Sequence, residues 1–308
     1  MDYVTLASGL PPSSRLGFGC GGIVGRIGRG QSLRAIAAAL DGGITHFDVA
    51  PLYGYGEAEA LVGEALAGKR DRVVIASKFG LTAPRAAGAL RALKPIAQKL
   101  AANVPGARAI LRTLVGGAAQ APDRFLVASA QASLNQSLAA LKTDYLDILF
   151  LHDCAPSDLT DELAAFLDRQ VATGKIRAYG VATDIEAVVA LYAQRGDTML
   201  SQFPNSIGER NADRLPNGES RFIAHSPFAG SARVAGRLAA TVAGGDVHHV
   251  MLAQALAVPN VAVVLCSMLD ESHLSANIAA VERPRFSAVE IAQFADLIAE
   301  PMVRAPAA

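Results

Sequence analysis

At 308 residues, of which 51% are hydrophobic and 18% charged, the chain can build one large α/β core or two ordinary domains. Its 28 basic and 28 acidic residues cancel, which leaves no global field for DNA, RNA or an acidic membrane surface. Cys20, Cys154 and Cys266 stand far apart with no CxxC pair, the pattern of a reduced intracellular protein rather than a disulfide scaffold. The start, Met1-Asp2-Tyr3-Val4, has no basic n-region. No run reaches the roughly 18 uninterrupted apolar residues of a membrane span. The expectation is a cytoplasmic protein with no nucleic-acid or membrane partner.

Residues 3–14 predict a short hairpin turning at Gly9 and Pro11-Pro12. Arg15 to Gly22 reads as a strand running into a glycine-rich end, and 31–41 as an alanine- and leucine-rich helix stopped by Gly42-Gly43. A second strand over 44–47 leads into a glycine-punctuated loop and a helix over 58–66; a third strand covers 73–78. Residues 79–122 break this rhythm with Pro84, Pro95 and Pro105, and carry short helical patterns near 89–102 and 107–115. A helix over 124–141 feeds the fourth strand, 146–152, and a helix over 156–171 is stopped by Gly174. The remaining strands are 176–181, 199–203, 222–225 and 261–265, with helices over 185–194, 247–257, 271–281 and 287–299.

Eight short apolar strands alternating with helices predict a parallel sheet with crossover helices. An open doubly wound sheet is the competing layout. Polar groups at nearly every strand end favour closure into a (β/α)8 barrel, with an N-terminal hairpin and a helical insert after the third strand. No linker or charge block divides the chain, so a single domain over 1–308 is expected.

Four strand ends carry the chemistry. Asp48 follows the second strand, and Tyr53 lies five residues on in Ala50-Pro51-Leu52-Tyr53-Gly54-Tyr55-Gly56-Glu57. Lys78 closes the third strand and His152 the fourth. A free phenol, with a pKa of about 10, is a sluggish acid at neutral pH. A nearby ammonium stabilises phenolate, and a histidine donor can hold a carbonyl oxygen.

Asp, Tyr, Lys and His in that order at strand ends resemble the tetrad of the aldo-keto reductases. The resemblance covers nearly the whole chain. It implies NAD(P)-dependent interconversion of a carbonyl and an alcohol, with Tyr53 as proton donor or acceptor. Lys78 would lower the Tyr53 pKa, Asp48 would pair with Lys78, and His152 would orient the substrate. The loop around Tyr53 looks like the branch acting on fucose- or galactose-type aldoses, so a sugar, lactol or small aldehyde is the implied substrate.

The cofactor positions depart from the family pattern. Family members place Ser-Asn at the end of the fifth strand to hold the nicotinamide carboxamide; here Ala182-Thr183 stands there. Gln202 matches the family glutamine. The family's Tyr-Ser-Pro after strand seven appears as His225-Ser226-Pro227, followed by Phe228, Gly230 and Ser231, which would serve the pyrophosphate. After strand eight, the resemblance places Ser267, His273 and Asn277 around the 2′-phosphate and adenine. The family's Lys, Arg and Glu of that segment are missing, and Asp270 and Glu271 would repel a dianion. Arg233 or Arg237 would have to compensate. Either NADP or NAD is therefore the expected cofactor.

The segment 79–122 holds Arg85, Arg91, Lys94, Lys99, Arg108 and Arg112 without an Asp or Glu. It reads as a basic lid over the catalytic face or, more plainly, as a helical hairpin packed on the barrel or on a second subunit. Monomer and homodimer both fit. His46, His152 and Cys154 raise a metal-dependent hydrolase as an alternative, but the first strand lacks the His-x-His pair of such barrels; no metal is expected. A nucleotide-binding regulatory subunit with little turnover is the other alternative, motivated by the altered cofactor positions.

Overall fold

Eight parallel strands close on themselves in chain order. They are β1 (Leu16–Gly19), β2 (His46–Asp48), β3 (Val74–Phe79), β4 (Leu146–His152), β5 (Ile176–Ala182), β6 (Leu200–Pro204), β7 (Phe222–His225) and β8 (Val261–Cys266). Strand β8 pairs back onto β1, with Val264 opposite Leu16 and Cys266 opposite Phe18. A computed structural model describes residues 1–83, 119–120, 123–196, 199–216, 222–242 and 246–299. The crossover helices are α1 (Arg29–Asp41), α2 (Ala58–Ala65), α3 (Val127–Leu141), α4 (Asp161–Ala172) and α5 (Ile185–Arg195), followed by α6 (Ser231–Leu238), α7 (Val247–Ala257), α8 (Glu271–Glu282) and α9 (Ala288–Ala299). This is the (β/α)8 barrel that the strand rhythm predicts.

Side chains alternate across a strand, so each strand feeds two cores. Phe18, Phe47, Ile75, Leu149, Leu151 and Val181 face outward and pack with the helices. Val74, Ala76, Ile148, Phe150, Leu200, Ile223 and Leu265 face inward and fill the barrel. The N-terminal hairpin pairs Tyr3 with Ser14 and Val4 with Ser13, and its Leu6 and Leu10 plug the barrel floor against the inward set. Ser14 Oγ accepts the Thr45 amide at 2.9 Å, and Ser13 Oγ meets His46 Nδ1 at 2.9 Å, which fastens the hairpin to β2.

At the start of β4, the carboxylate of Asp147 holds Arg70 at 2.6 Å and Arg177 at 2.8 Å. Both guanidinium groups also lie against the Tyr145 ring, at 4.0 and 4.4 Å from its centroid. These groups sit at the amino end of a barrel strand, the face associated with stability rather than chemistry.

Two local differences from expectation have simple causes. Helix α3 begins at Val127 rather than at 124. Arg124 and Phe125 are engaged elsewhere: Arg124 Nη2 donates to the Asp153 carbonyl at 2.7 Å, and Phe125 packs edge-on against Phe79. Helix α6, absent from the expected elements, forms because Val234 and Leu238 recur at i and i+4 and are both buried, while Arg233 and Arg237 take the other positions. The helical patterns near 89–102 and 107–115, with their basic residues, lie outside the described residues. The insert leaves and re-enters through a short antiparallel pairing of Leu81–Thr82 with Ala119–Gln120. Among the described residues, no helix is long and apolar enough to cross a membrane.

Candidate active site

The inward-facing rows end in polar groups at the carboxyl mouth of the barrel. Above Val74 and Ala76 comes Lys78; above Ile148 and Phe150, His152; above Leu200, Gln202; above Ile223, His225; and above His46, Asp48. His46 and Asp48 thus share one face of β2, with His46 beneath. Glycines at the inward positions of β1, Gly17 and Gly19, leave the near wall low. Together these ends line a cleft of about 600 Å³ that includes Asp48, Tyr53, Lys78 and His152.

Lys78 Nζ donates to Asp48 Oδ1 at 2.6 Å and to the Val49 carbonyl at 3.2 Å, and all of these groups are buried. The ammonium lies 5.0 Å from the centroid of the Tyr53 ring, which meets the His152 imidazole edge-on at 6.2 Å. Tyr53 is carried by a tight turn rather than a strand. Its amide bonds the Ala50 carbonyl at 3.0 Å, and Gly54 follows with φ 58°. A β-carbon on Gly54 would stand 2.9 Å from the Ile23 carbonyl oxygen, so both space and conformation call for glycine here. Behind Lys78, Ser77 Oγ donates to the buried Glu59 Oε1 at 2.6 Å, which ties α2 to β3 and fixes the Tyr53 turn relative to the lysine.

Electrostatics assign the charge states. Burial pulls the Lys78 ammonium down, but Asp48 and then Tyr53 outweigh it, and its pKa ends above the ordinary lysine value. For Tyr53, burial is the largest influence and lifts the phenol above its ordinary value; Lys78 opposes this, with the sign the sequence predicts but a smaller effect. Burial, reinforced by the charges of Lys78, His225 and Arg124, pushes His152 down to about 3. Burial takes His225 down to about 4, with Asp48 pulling up and Lys78 pulling down. Both imidazoles are therefore neutral at physiological pH and each carries a single N–H.

Of the residues expected to hold the cofactor, Thr183, Gln202, His225, Ser226, Phe228 and Ser267 line the same cleft. Thr183 Oγ1 donates its proton to the Cys154 carbonyl at 2.9 Å, so it faces the cleft as an acceptor. Gln202 Oε1 is buried without a partner, and Ala182 between them offers no polar group. An amide is the chemistry that this pair accommodates, since it offers N–H donors to both oxygens. His225 Nδ1 lies 3.0 Å from Ser226 Oγ, an arrangement that turns the ring into the mouth. Gly230, in the left-handed region at φ 71°, immediately precedes α6, and Ser231 is the helix's first residue; both stand just beyond the lining.

His273 and Asn277 are on α8, outside the cleft, with His273 exposed. Arg233 and Arg237 are held elsewhere: Arg233 Nη2 donates to the Gly208 carbonyl, and Arg237 Nη1 donates to the Leu297 and Ile298 carbonyls. Residues that sequence reasoning missed include Gly21, which approaches the Tyr53 ring, and Asp184, which lines the cleft and caps α5 by accepting the Ala187 amide at 2.8 Å. A cap signal was legible there, since Asp184 immediately precedes an apolar-periodic run. Cys20, Cys154 and Cys266 are free and buried. Among the described residues, no three His, Cys, Asp or Glu side chains gather in a way that could hold a metal ion.

The model of the aldo/keto reductase family matches residues 15–206. The aldo-keto reductase YhdN of Bacillus subtilis is 31% identical over 187 residues, covering 59% of this chain and 46% of the relative. The 6-dehydroglucose reductase of Novosphingobium aromaticivorans is 29% identical over 231 residues, covering 70% of this chain and 63% of the relative. The chain thus spans about half to two thirds of the length of these curated relatives. Among solved structures, the holo form of aldo-keto reductase AKR11C1 from Bacillus halodurans superposes with a TM-score of 0.75 at 22% identity, covering 97% of each chain. With the family model spanning β1 to the end of β6, the chain belongs to the aldo/keto reductase family.

Proposed function

We propose that this chain is an NAD(P)-dependent oxidoreductase that interconverts a carbonyl and an alcohol. The observation that carries this reading is the convergence of Tyr53, the buried Lys78–Asp48 pair at 2.6 Å and a neutral His152 at one cleft mouth. A nicotinamide, when bound, supplies or accepts the hydride. Thr183 and Gln202 would hold its carboxamide, and His225 would pack against its ring.

The chain's own residues manage the proton. Tyr53 Oη, protonated at neutral pH, gives its proton to the carbonyl oxygen as that oxygen gains charge. The Lys78 ammonium, held by Asp48, then stabilises the phenolate left behind. His152, neutral, donates its one N–H to the same oxygen and orients the substrate without placing a second positive charge beside Lys78. Oxidation of an alcohol runs the same steps in reverse, with the phenolate as base.

The substrate class that fits best is a small aldehyde or a sugar in aldehyde or lactol form. Asp48, Tyr53, Lys78, His152 and Thr183 give the cleft groups that can hydrogen-bond a sugar, the loop around Tyr53 resembles the aldose-oxidising branch, and one relative is named as a 6-dehydroglucose reductase. We place the protein in the cytoplasm as one barrel domain, active as a monomer or homodimer.

The test is a side-by-side fluorescence titration with NADH and NADPH, followed by turnover assays on a panel of aldehydes and aldoses read by nicotinamide absorbance. Nucleotide binding with turnover of at least one aldehyde supports the reading. Binding without turnover on any carbonyl would favour a regulatory role, and no binding of either nucleotide would remove the reductase reading.

A further inference from the structure

We infer that His46 is a positioning residue for proton transfer: its Nε2–H, through one bridging water, holds the second oxygen of Asp48 and so aims the first at Lys78. This rests on the reductase reading above and extends it to a residue beneath the site that touches neither substrate nor nucleotide.

The two oxygens of Asp48 are in different situations. Oδ1 takes the Lys78 ammonium at 2.6 Å. Oδ2 is buried with no partner among the described residues. A carboxylate oxygen left so costs more than a typical hydrogen bond contributes, so it calls for a donor. Other nearby donors are committed: the Cys20 thiol donates to the Phe18 carbonyl at 3.8 Å, and Lys78 Nζ makes its further bond to the Val49 carbonyl. His46 is the buried donor below. It lies two residues before Asp48 on the same face of β2, roughly 7 Å away along the strand. Its Nε2 is also buried and unpartnered among the described residues. No direct bond joins the two atoms, and one water that accepts from Nε2–H and donates to Oδ2 satisfies both. Gly17 and Gly19 put no side chain on this face of β1; Gly19 pairs with Asp48, and a β-carbon on Gly17 would stand 3.3 Å from His46 Cδ2.

Ser13 sets the tautomer. Its Oγ lies 2.9 Å from His46 Nδ1 and has no other partner among the described residues. With the hydrogen on Nδ1, the buried Ser13 hydroxyl proton would face no acceptor. Donation from Ser13 to Nδ1 leaves nothing orphaned and puts the ring hydrogen on Nε2. Burial takes the imidazole down to about 4, with Asp48 pulling up and Lys78 pulling down, so it is neutral at physiological pH. A neutral donor shares the charge of Asp48 without adding a cation beside Lys78. More of the Lys78 charge is then left to stabilise a Tyr53 phenolate.

Two substitutions separate this role from a structural one. His46→Gln returns an amide N–H near the place of Nε2, whereas His46→Asn returns a polar atom near Nδ1, within reach of Ser13. The readouts are nucleotide affinity, single-turnover hydride transfer at saturating nucleotide, and the pH profile of alcohol oxidation. His46→Asn should bind nucleotide as the unaltered protein does but transfer hydride about tenfold more slowly, with its oxidation profile displaced upward by about one pH unit. His46→Gln should recover most of both. Nitrogen NMR of histidine-labelled unaltered protein should show His46 as the neutral Nε2–H tautomer, its signal assigned by its loss in His46→Gln. That measurement tests the inference even where His46→Asn folds poorly. An Nδ1–H tautomer, a His46→Asn variant with the unaltered rate and pH profile, or a folded His46→Gln as slow as His46→Asn would overturn the inference while leaving the reductase reading intact. An unaltered protein that turns over no carbonyl would overturn both.

Discussion

Lys78 Nζ and Asp48 Oδ1 lie 2.6 Å apart in a setting closed to solvent, and that one contact fixes the charge beneath the Tyr53 ring. A buried ion pair is weak evidence of stability, because desolvation offsets attraction, but breaking it leaves an uncompensated charge. Removing the lysine alone, as Lys78→Met, should cost about 3–5 kcal/mol of unfolding free energy. The double variant Asp48→Asn/Lys78→Met should recover most of that loss while recovering none of the turnover. Urea denaturation of the two single variants and the double variant measures the coupling. A double variant no more stable than Lys78→Met would show that the pair is not the origin of the loss.

The protonation state of Tyr53 predicts opposite pH dependences for the two reaction directions. Burial lifts its pKa above the ordinary tyrosine value. Reduction needs the phenol protonated, so its rate should hold steady through neutral pH and fall only in the alkaline range. Oxidation needs phenolate, so its rate should climb with pH, by about tenfold per pH unit below that pKa. Initial rates in both directions from pH 6 to pH 10 decide it. An oxidation rate flat across neutral pH would place the proton elsewhere.

Three histidines held neutral in the barrel make stability acid-sensitive. His46 and His225 are held down at about 4 and His152 at about 3, each chiefly by burial. In the unfolded chain each titrates near pH 6.5. The folded state then binds fewer protons than the unfolded one below that pH, so their contribution is full above about 6.5 and is lost as pH falls toward 4 and 3. Unfolding free energy should decline between pH 6.5 and 4.5, and His46→Asn should make the slope shallower. A slope unchanged by His46→Asn would contradict this.

Gly54 is where the Tyr53 turn is most constrained. Gly54→Ala would place a β-carbon 2.9 Å from the Ile23 carbonyl oxygen at φ 58°, a cost on the order of 1–3 kcal/mol. Because the strain sits beside the proton donor, kcat should fall more than nucleotide affinity does. Measuring both on the same preparation separates a displaced Tyr53 from general unfolding.

The barrel was legible because its strands are short apolar runs ending in polar residues. The register that sends Lys78, His152, Gln202 and His225 inward follows from parity alone. Ser231–Leu238 was harder to read, since two arginines and Gly236 dilute a two-residue apolar stripe and only tertiary contact with Val234 and Leu238 reveals the helix. Tyr53 shows the limit on the chemical side. Sequence identifies Lys78 as its partner and the sign of that partner's effect, but not that burial outweighs it. Asp270 is similar: its charge is visible in the chain, whereas its use of the first-turn amide of α8 appears only in three dimensions.

Single-turnover hydride transfer by Tyr53→Phe, with nucleotide binding measured on the same sample, tests the role of the phenol most directly. With Tyr53 as the proton donor, the variant still binds nucleotide but transfers hydride to an aldehyde about 10²–10⁴-fold more slowly than the unaltered protein. Transfer by Tyr53→Phe at the unaltered rate would show that Tyr53 is not the proton donor, and the roles given to Lys78 and Asp48 would fall with it.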